Sequence, residues 1–186
     1  MDPLRAGADL ADTPLGPIRV LASSAGVVAL VFEGLNDLED DGVTPRPNSP
    51  SAVSQEADPA VAEDAPAAAA IAADAAAQVR AYLAGERDTI DAPVDWTVLE
   101  PFQADVLRLV VAIPAGETRT YGQLAAALGR PGGARAVGRA NAMNPMPLVL
   151  PCHRVVAADG GMGGYSGPGG VETKAWLLRR EGAALL

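Results

Sequence analysis

The chain has 186 residues and a formal net charge of −9, long enough to bury a sizeable core as one large domain or two small ones. Apolar residues make up 49%, charged residues 20% and aromatics 4%, a globular composition with little scope for a broad aromatic binding surface. No apolar run approaches the roughly 18 residues that span a bilayer, and the start of the chain lacks the basic-then-apolar layout of an export signal; one cysteine excludes an internal disulfide, and one cysteine with one histidine excludes a Cys/His zinc cluster.

Taken as an average, the charge argues against nucleic acid, because phosphates repel an acidic surface. The distribution says otherwise. Residues 1–100 carry 5 basic and 18 acidic side chains, a balance of −13, whereas residues 101–186 carry 9 basic and 5 acidic, a balance of +4. Such a division between halves is itself a signal.

In chain order, Pro17–Leu21 and Val27–Phe32 are β-branched, apolar runs separated by Ser23-Ser24-Ala25-Gly26, which predicts a hairpin. From Glu33 to about Pro66 the composition turns to Asp, Glu, Pro, Ser and Ala, which predicts a flexible, solvated insertion without an assigned role. An alanine-rich helix is expected from Ala67 to Leu83, with Ile71, Ala75, Val79, Tyr82 and Leu83 as its apolar stripe and Gly85 as its stop. Phe102, Val106, Leu109, Val110 and Ile113 recur at helical spacing before Pro114-Ala115-Gly116 ends the run. Short helices follow at Tyr121–Leu128 and Ala134–Met143, joined by Gly129-Arg130-Pro131-Gly132-Gly133. That pairing fits either a helix-turn-helix or a purely structural corner. The second helix favours the former, since Arg135 and Arg139 share a face with Ala136, Gly138, Ala140 and Ala142 around them. Small residues permit close approach to a phosphate backbone and the arginines supply charge.

Pro145-Met146-Pro147-Leu148-Val149-Leu150-Pro151 reads as an apolar strand leading to Cys152-His153-Arg154-Val155, so the only cysteine adjoins the only histidine. A thiol becomes a useful nucleophile when a cation, base or helix N-terminus lowers its pKa. Neighbours on a regular strand point to opposite faces, so His153 can act on Cys152 only if the backbone turns or a water bridges them. A buried cysteine beside a surface histidine is the plainer alternative. Gly160–Gly170 is a glycine-rich loop, either a connector or a wall whose backbone approaches a flat ligand; it lacks the Lys-Ser/Thr ending of a phosphate-binding loop. A last helix is expected over Val171–Glu181, with Leu177 and Leu178 inward and Gly182 as its stop. Glu181 then sits where the helix dipole disfavours an acid, either as a plain surface residue or as a carboxylate orienting a histidine.

Pro151-Cys152-His153-Arg154-Val155, with Arg135-Ala136-Val137-Gly138 and Asn144-Pro145 before it, resembles the O6-alkylguanine-DNA alkyltransferases, or methylated-DNA–protein-cysteine methyltransferases. The likeness also takes in Phe102-Gln103, Ile113-Pro114, Thr120-Tyr121-Gly122, Gly164-Tyr165-Ser166-Gly167 and Glu181-Gly182, in order; over residues 1–100 it is limited to the hairpin and Ala81-Tyr82-Leu83-Ala84-Gly85. The resemblance implies an α+β fold. A small sheet-and-helix domain of ribonuclease H-like type would occupy residues 1–97, with the acidic insertion at 33–66, and a mostly helical DNA-binding domain with a helix-turn-helix would occupy residues 98–186.

The activity implied is direct-reversal DNA repair, in which the O6-alkyl group, mainly methyl, of an alkylguanine flipped from double-stranded DNA passes irreversibly to Cys152. O4-alkylthymine is a second candidate lesion. His153 would be the base through a bound water, Glu181 would orient it, Asn144 would brace the segment before the cysteine, and Tyr121 would donate toward the guanine ring. Arg135 would enter the base stack, with Ala136, Gly138, Arg139 and Tyr121 also on the DNA-binding side, while Val155, Tyr165, Ser166 and Gly167 would line the base pocket. Flipping is required to reach a base atom inside a duplex, and an inserted side chain offsets the unstacking. No metal and no cofactor is implied. The protein would act as a monomer in the cytoplasm, at the nucleoid and away from membranes. The sequence departs from the family in the acidic insertion, in Ala142-Met143 where bacterial members commonly have a glycine-containing pair, and in a longer loop after Ser166 containing Pro168. The zinc ligands of some relatives are absent, and Cys152 distinguishes the chain from a non-catalytic subfamily with tryptophan there. Two other classes share features of the sequence: a silent alkylated-DNA binder or regulator, and a cysteine hydrolase using Cys152, His153 and Glu181.

Overall fold

The computed structural model describes residues 6–32 and 65–184. It is a mixed α/β structure with a small antiparallel sheet and five helices. Contacts divide the chain into two compact units, Met1–Val98 and Leu99–Leu186. No described helix is long and apolar enough to cross a membrane.

In the first unit, β1 (Ala6–Leu10), β2 (Ile18–Ser23) and β3 (Gly26–Phe32) form an antiparallel sheet in the order β1-β2-β3. The expected hairpin is β2–β3, closed by Ser24-Ala25, with the Ala25 N–H donating to Ser23 Oγ at 3.2 Å. β3 is buried along its whole length, which is why its sequence is an unbroken apolar run rather than an alternation. β1 is an additional strand. Its sequence, Ala-Gly-Ala-Asp-Leu, carries little strand propensity; pairing with β2 creates it, helped by an exposed Arg19–Asp9 pair at 2.7 Å worth under about 1 kcal/mol.

α1 (Ala65–Ala84) packs across the sheet. It begins inside the stretch expected to be loop, at Ala65-Pro66, since proline is tolerated in a first helical turn; residues 33–64 of that stretch lie outside the described residues. The buried stripe is Ala68, Ala72, Ala75, Ala76, Val79, Tyr82 and Leu83. Ile71, assigned to the stripe from sequence, is only half-buried. Alanine faces the sheet because a methyl allows close approach, and Tyr82 and Leu83 supply the bulk at the far end. Gly85 at φ 84° ends the helix, with the Glu86 N–H donating to Ala81 O at 2.9 Å.

In the second unit, α2 (Pro101–Val111) starts on a proline that needs no donor, and buries Ala104, Val106, Leu107 and Val110. Leu107 replaces Leu109 in the inward stripe, and Phe102 lies half-exposed, 4.8 Å from the Arg130 guanidinium. β4 (Arg119–Thr120) runs into α3 (Tyr121–Ala127), which Thr120 and Gln123 close with a reciprocal capping box. α4 (Ala134–Ala142) follows and packs on both α2 and α3. Gln103 of α2 donates to Met143 O at 2.8 Å and so closes the end of α4. β5 (Val155–Val156) pairs in parallel with β4, Arg119 opposite Val155 and Thr120 opposite Val156. α5 (Gly170–Arg180) completes the unit, with Leu177 and Leu178 fully buried.

Residues 145–151 are not the strand the sequence suggests. They form a compact turn in which Leu148 takes φ 72° and the Leu150 N–H donates to Met146 O at 2.8 Å. Three prolines in seven residues withdraw the donors that a strand ladder needs. Ala140 is also corrected: it faces the core and does not accompany the arginines of α4.

Candidate active site

The turn at 145–151 is held from within by Asn144, which is fully buried. Its Nδ2 donates to Leu150 O at 2.8 Å, and its Oδ1 accepts from the Met146 N–H at 3.0 Å. This pair of bonds fixes the left-handed Leu148, a conformation that costs roughly 1–2 kcal/mol for a residue with a Cβ. The chain leaves the turn as one turn of 3-10 helix over Cys152–Arg154, with the Arg154 N–H donating to Pro151 O at 2.9 Å. The backbone therefore turns at the cysteine, and Cys152 and His153 are not placed on opposite faces as strand neighbours would be.

All three side chains of that turn are buried. Cys152 forms part of the wall of a cavity of about 250 Å³, together with Tyr121, Gly138, Asn141, Ala142, Gly164, Tyr165 and Ser166. The β4–β5 pairing is what brings Tyr121, one residue past β4, beside the cysteine segment that precedes β5. The tyrosine ring lies between two glycines. A Cβ on Gly163, where φ is 62°, would come within 2.9 Å of Tyr121 Oη, and one on Gly138 would be 3.8 Å from the ring.

Behind the cavity, His153 Nε2 and Glu181 Oε1 are 2.9 Å apart, both completely buried. Arg154 engages the same carboxylate twice, Nε to Oε2 at 2.9 Å and Nη2 to Oε1 at 2.8 Å, and its Nη1 donates to Ile113 O at 2.7 Å. Glu181 reaches this place as the residue closing α5. Its dipole-unfavourable position is compensated by a charge-assisted fork from arginine.

Burial pushes the Cys152 thiol up, and the Asn144 side chain and the Lys174 charge act against it. Burial pushes His153 below its usual range despite Glu181, so the imidazole rests neutral. Burial raises Tyr121, with the neighbouring thiol adding to the effect, so its hydroxyl keeps its proton and is a donor. Lys174 is brought down to about 8 by burial.

Of the residues singled out in the sequence, Tyr121, Gly138, Cys152, Tyr165 and Ser166 meet at the cavity, and His153, Glu181 and Asn144 stand in the layer that supports it. Gly167 lies beneath the Tyr165 ring, its Cβ position 2.4 Å from Cε1, and is outside the lining. Val155 is fully buried and also outside the lining; its carbonyl accepts from Lys174 Nζ at 2.6 Å. Arg135, Ala136 and Arg139 are exposed on α4, the helix whose other side contributes Gly138 and Asn141 to the cavity.

Three residues emerge only from the structure: Asn141, Arg154 as the partner of Glu181, and Lys174. Asn141 is buried, lines the cavity and donates from Nδ2 to Cys152 O at 3.2 Å. Two of the three left a trace in the sequence. Asn141 is four residues after the buried Val137, and Lys174 is three and four residues before the buried Leu177 and Leu178. A polar residue at a core-facing helical position is the informative kind of exception.

Residues 101–183 match the family model of the 6-O-methylguanine DNA methyltransferase DNA-binding domain. Among curated relatives, the methylated-DNA–protein-cysteine methyltransferase of Shigella flexneri is 51% identical over 108 residues, covering 58% of this chain and 62% of that protein. The protein of the same name from Mycolicibacterium paratuberculosis is 48% identical over 101 residues, covering 54% of this chain and 59% of that one. These matches therefore span about three-fifths of the curated relatives' length. The likeness to solved structures runs further. Mycobacterium tuberculosis OGT, in a crystal structure in complex with DNA, is 33% identical, covers 96% of this chain and 92% of its own, and superposes with a TM-score of 0.66. The O6-methylguanine-DNA methyltransferase of Pyrococcus kodakaraensis is 28% identical with a TM-score of 0.61, over 97% of this chain and all of that one.

Proposed function

Because the chain belongs to the family of methylated-DNA–protein-cysteine methyltransferases, we propose that it repairs O6-alkylguanine in double-stranded DNA by moving the alkyl group, mainly methyl, irreversibly onto its own Cys152. The observation that carries this reading is the sole cysteine of the chain, buried in the wall of a base-sized cavity, with a protonated tyrosine hydroxyl sharing that wall.

The step balances without a metal or cofactor. The thiol proton passes through a bridging water to His153, whose imidazolium Glu181 stabilises from 2.9 Å. Sulfur attacks the alkyl carbon, the S–C bond forms as the C–O6 bond breaks, and the electron pair stays on the guanine ring. Tyr121 donates there, and the proton held by His153 restores neutrality. The thioether has no route back, so one protein serves one lesion. Asn144 keeps the segment before Cys152 in place, and Tyr165 and Ser166 form the cavity wall on the loop side.

For DNA, α3 and α4 act as a helix-turn-helix whose exposed Arg135, Ala136 and Arg139 face the duplex. Arg135 fills the stack left by the flipped base, a move that offsets a few kcal/mol of unstacking. The DNA-binding alkyltransferase domain is then residues 98–186. Residues 1–97 form a sheet-and-helix domain of ribonuclease H-like type, supported by the three-stranded antiparallel sheet with α1 across it. O4-alkylthymine is a second lesion for the same cavity. With chromosomal DNA as partner, the protein works as a monomer in the cytoplasm, at the nucleoid.

The test is an intact mass after incubation with an O6-methylguanine duplex. One permanent methyl adduct per chain, absent in Cys152→Ala, is expected. An unmodified mass with tight DNA binding would leave a silent binder, and more than one product per protein would overturn the suicide step.

A further inference from the structure

The reaction above makes no use of Lys174, yet this residue is the chain's only lysine, all its other basic residues being arginines, and it is completely buried. A buried ammonium is costly unless its donors and its charge are satisfied. The donors are satisfied by backbone alone: Nζ donates to Val155 O at 2.6 Å, to Met162 O, and to Gly164 O at 3.4 Å. The charge is not met by an acid, since no carboxylate among the described residues pairs with it. The groups it does face are the ring of Tyr121, with Nζ 6.0 Å from the centroid, and the Cys152 thiol.

The three carbonyls come from two segments. Val155 lies in β5, directly after the cysteine turn, and Met162 and Gly164 lie in the glycine-rich loop. Among the described residues, no backbone–backbone hydrogen bond joins Met162–Ser166 to the rest of the chain. One ammonium therefore ties the loop that carries Gly164, Tyr165 and Ser166, three residues of the cavity wall, to the strand behind the cysteine. Arginine could not do this, because a planar fork cannot converge on three carbonyls around one point as an ammonium can.

We propose that Lys174 is a positioning residue with two tasks: it holds the glycine-rich loop as the wall of the base cavity, and it is the buried positive charge that accompanies the Cys152 thiolate. The second task rests on the reading of Cys152 as the alkyl acceptor. With thiol and imidazole neutral, Arg154 and Glu181 offset each other behind the cysteine turn, and Lys174 is left as a surplus positive charge beside the thiol. Ionising the thiol cancels that surplus instead of creating a lone buried anion. His153, Tyr121 and Asn144 also surround the thiol, and none of them is a resting cation. The Arg154 guanidinium is engaged on Glu181.

A single lysine makes the first test clean, because protein labelled with 13C at lysine Cε gives one signal from that residue. Titrated in the full chain without DNA, that signal is expected to report a pKa near 8, and a lower one in Cys152→Ser, because the thiol side raises it. The same value in both proteins would overturn the charge role. In the second test, single-turnover transfer from an O6-methylguanine duplex is compared in wild type, Lys174→Met and Lys174→Arg. Lys174→Met is expected to lose at least about tenfold near neutral pH, the change in thiolate fraction for one unit of thiol pKa. Part of that loss should recover as pH rises and the unassisted thiol ionises. Lys174→Arg keeps the charge and loses the tether, so its deficit should not change with pH below the Lys174 pKa of about 8. Transfer by Lys174→Met at the wild-type rate would overturn the proposal outright, and if that variant does not fold, the titration still decides. Failure of wild type to transfer at all would instead refute the proposed function, and the lysine titration would stand apart from it.

Discussion

Arg154 offers the sharpest test of the buried layer behind the cysteine. Replacing it with methionine keeps most of the apolar stem and removes the hydrogen bonds to Glu181 at 2.9 and 2.8 Å and to Ile113 O at 2.7 Å. The Glu181 side chain is completely buried, so its carboxylate loses the guanidinium fork and keeps the contact with His153. Removing one member of a buried pair typically costs about 3–5 kcal/mol, and an abandoned buried carbonyl adds about 1 kcal/mol or more. A loss of about 4 kcal/mol, with a slope near 2 kcal/mol per molar urea, lowers the midpoint by about 2 M. The assay is urea unfolding followed by the fluorescence of Trp176 in α5, in a Trp96→Phe background so that the signal comes from the second unit alone. The sign of the pH effect provides an internal check. Without the guanidinium, His153 loses one of the two neighbouring cations that hold its pKa down, Lys174 being the other, so it takes up a proton more readily and partly replaces the lost charge. The penalty should be smaller at pH 5.5 than at pH 8. A midpoint shift below about 0.5 M, or a penalty that grows toward acid, would refute the account of Glu181 as a carboxylate shared between arginine and histidine.

Asn144→Ala removes both bonds of that side chain to the 145–151 turn and leaves the Met146 N–H buried and unpaired, while Leu150 O keeps the Cys152 N–H at 2.7 Å; a stability loss of about 1–3 kcal/mol by thermal or urea unfolding is expected. Arg135→Ala should slow transfer from a duplex much more than transfer from the free modified base, and equal losses in quenched-flow assays would count against its role in the base stack. His153 has a folded-state pKa below its unfolded value of about 6.5. Its stabilising effect is therefore complete above that value and falls away as pH drops toward the folded pKa, by up to about 1.4 kcal/mol per unit; urea midpoints for wild type and His153→Asn should converge as pH falls from 6.5.

How much of this was legible in the sequence depended on whether a residue acts through its own element or through another. The helices were legible because apolar spacing is a local signal, and the Thr120/Gln123 box marks the start of α3 within four residues. β1 was not, since Ala-Gly-Ala-Asp-Leu becomes a strand only through β2. Residues 145–151 misled for a related reason. An apolar run has the composition of a buried strand, and only the account of donors, three of them removed by proline, shows that no ladder can form. At the site, the adjacency of Cys152 and His153 advertised chemistry, but the geometry that joins them is a 3-10 turn set by Asn144 and Pro151. Arg154 was visible as a letter and silent as a partner, because nothing local says that a side chain 27 residues from Glu181 will meet it.

The charge asymmetry takes on a more definite form once burial is known. Of the nine basic and five acidic side chains in residues 101–186, Arg154, Lys174 and Glu181 are inside and exert their effect on the cysteine rather than on solvent. Arg108 and Arg119 are paired at the surface with Asp105 and Glu117. What α4 offers to solvent is Arg135 and Arg139 with no acid on the helix. Arg130 and Arg179 are exposed elsewhere on the same unit, and each phosphate contact made by such arginines contributes a slope of about −0.9 in log affinity against log salt. Under the proposed function, such a salt-sensitive footing would release undamaged sites. The commitment to a lesion would then come from the cavity and the thiol, beside which the buried Lys174 lies.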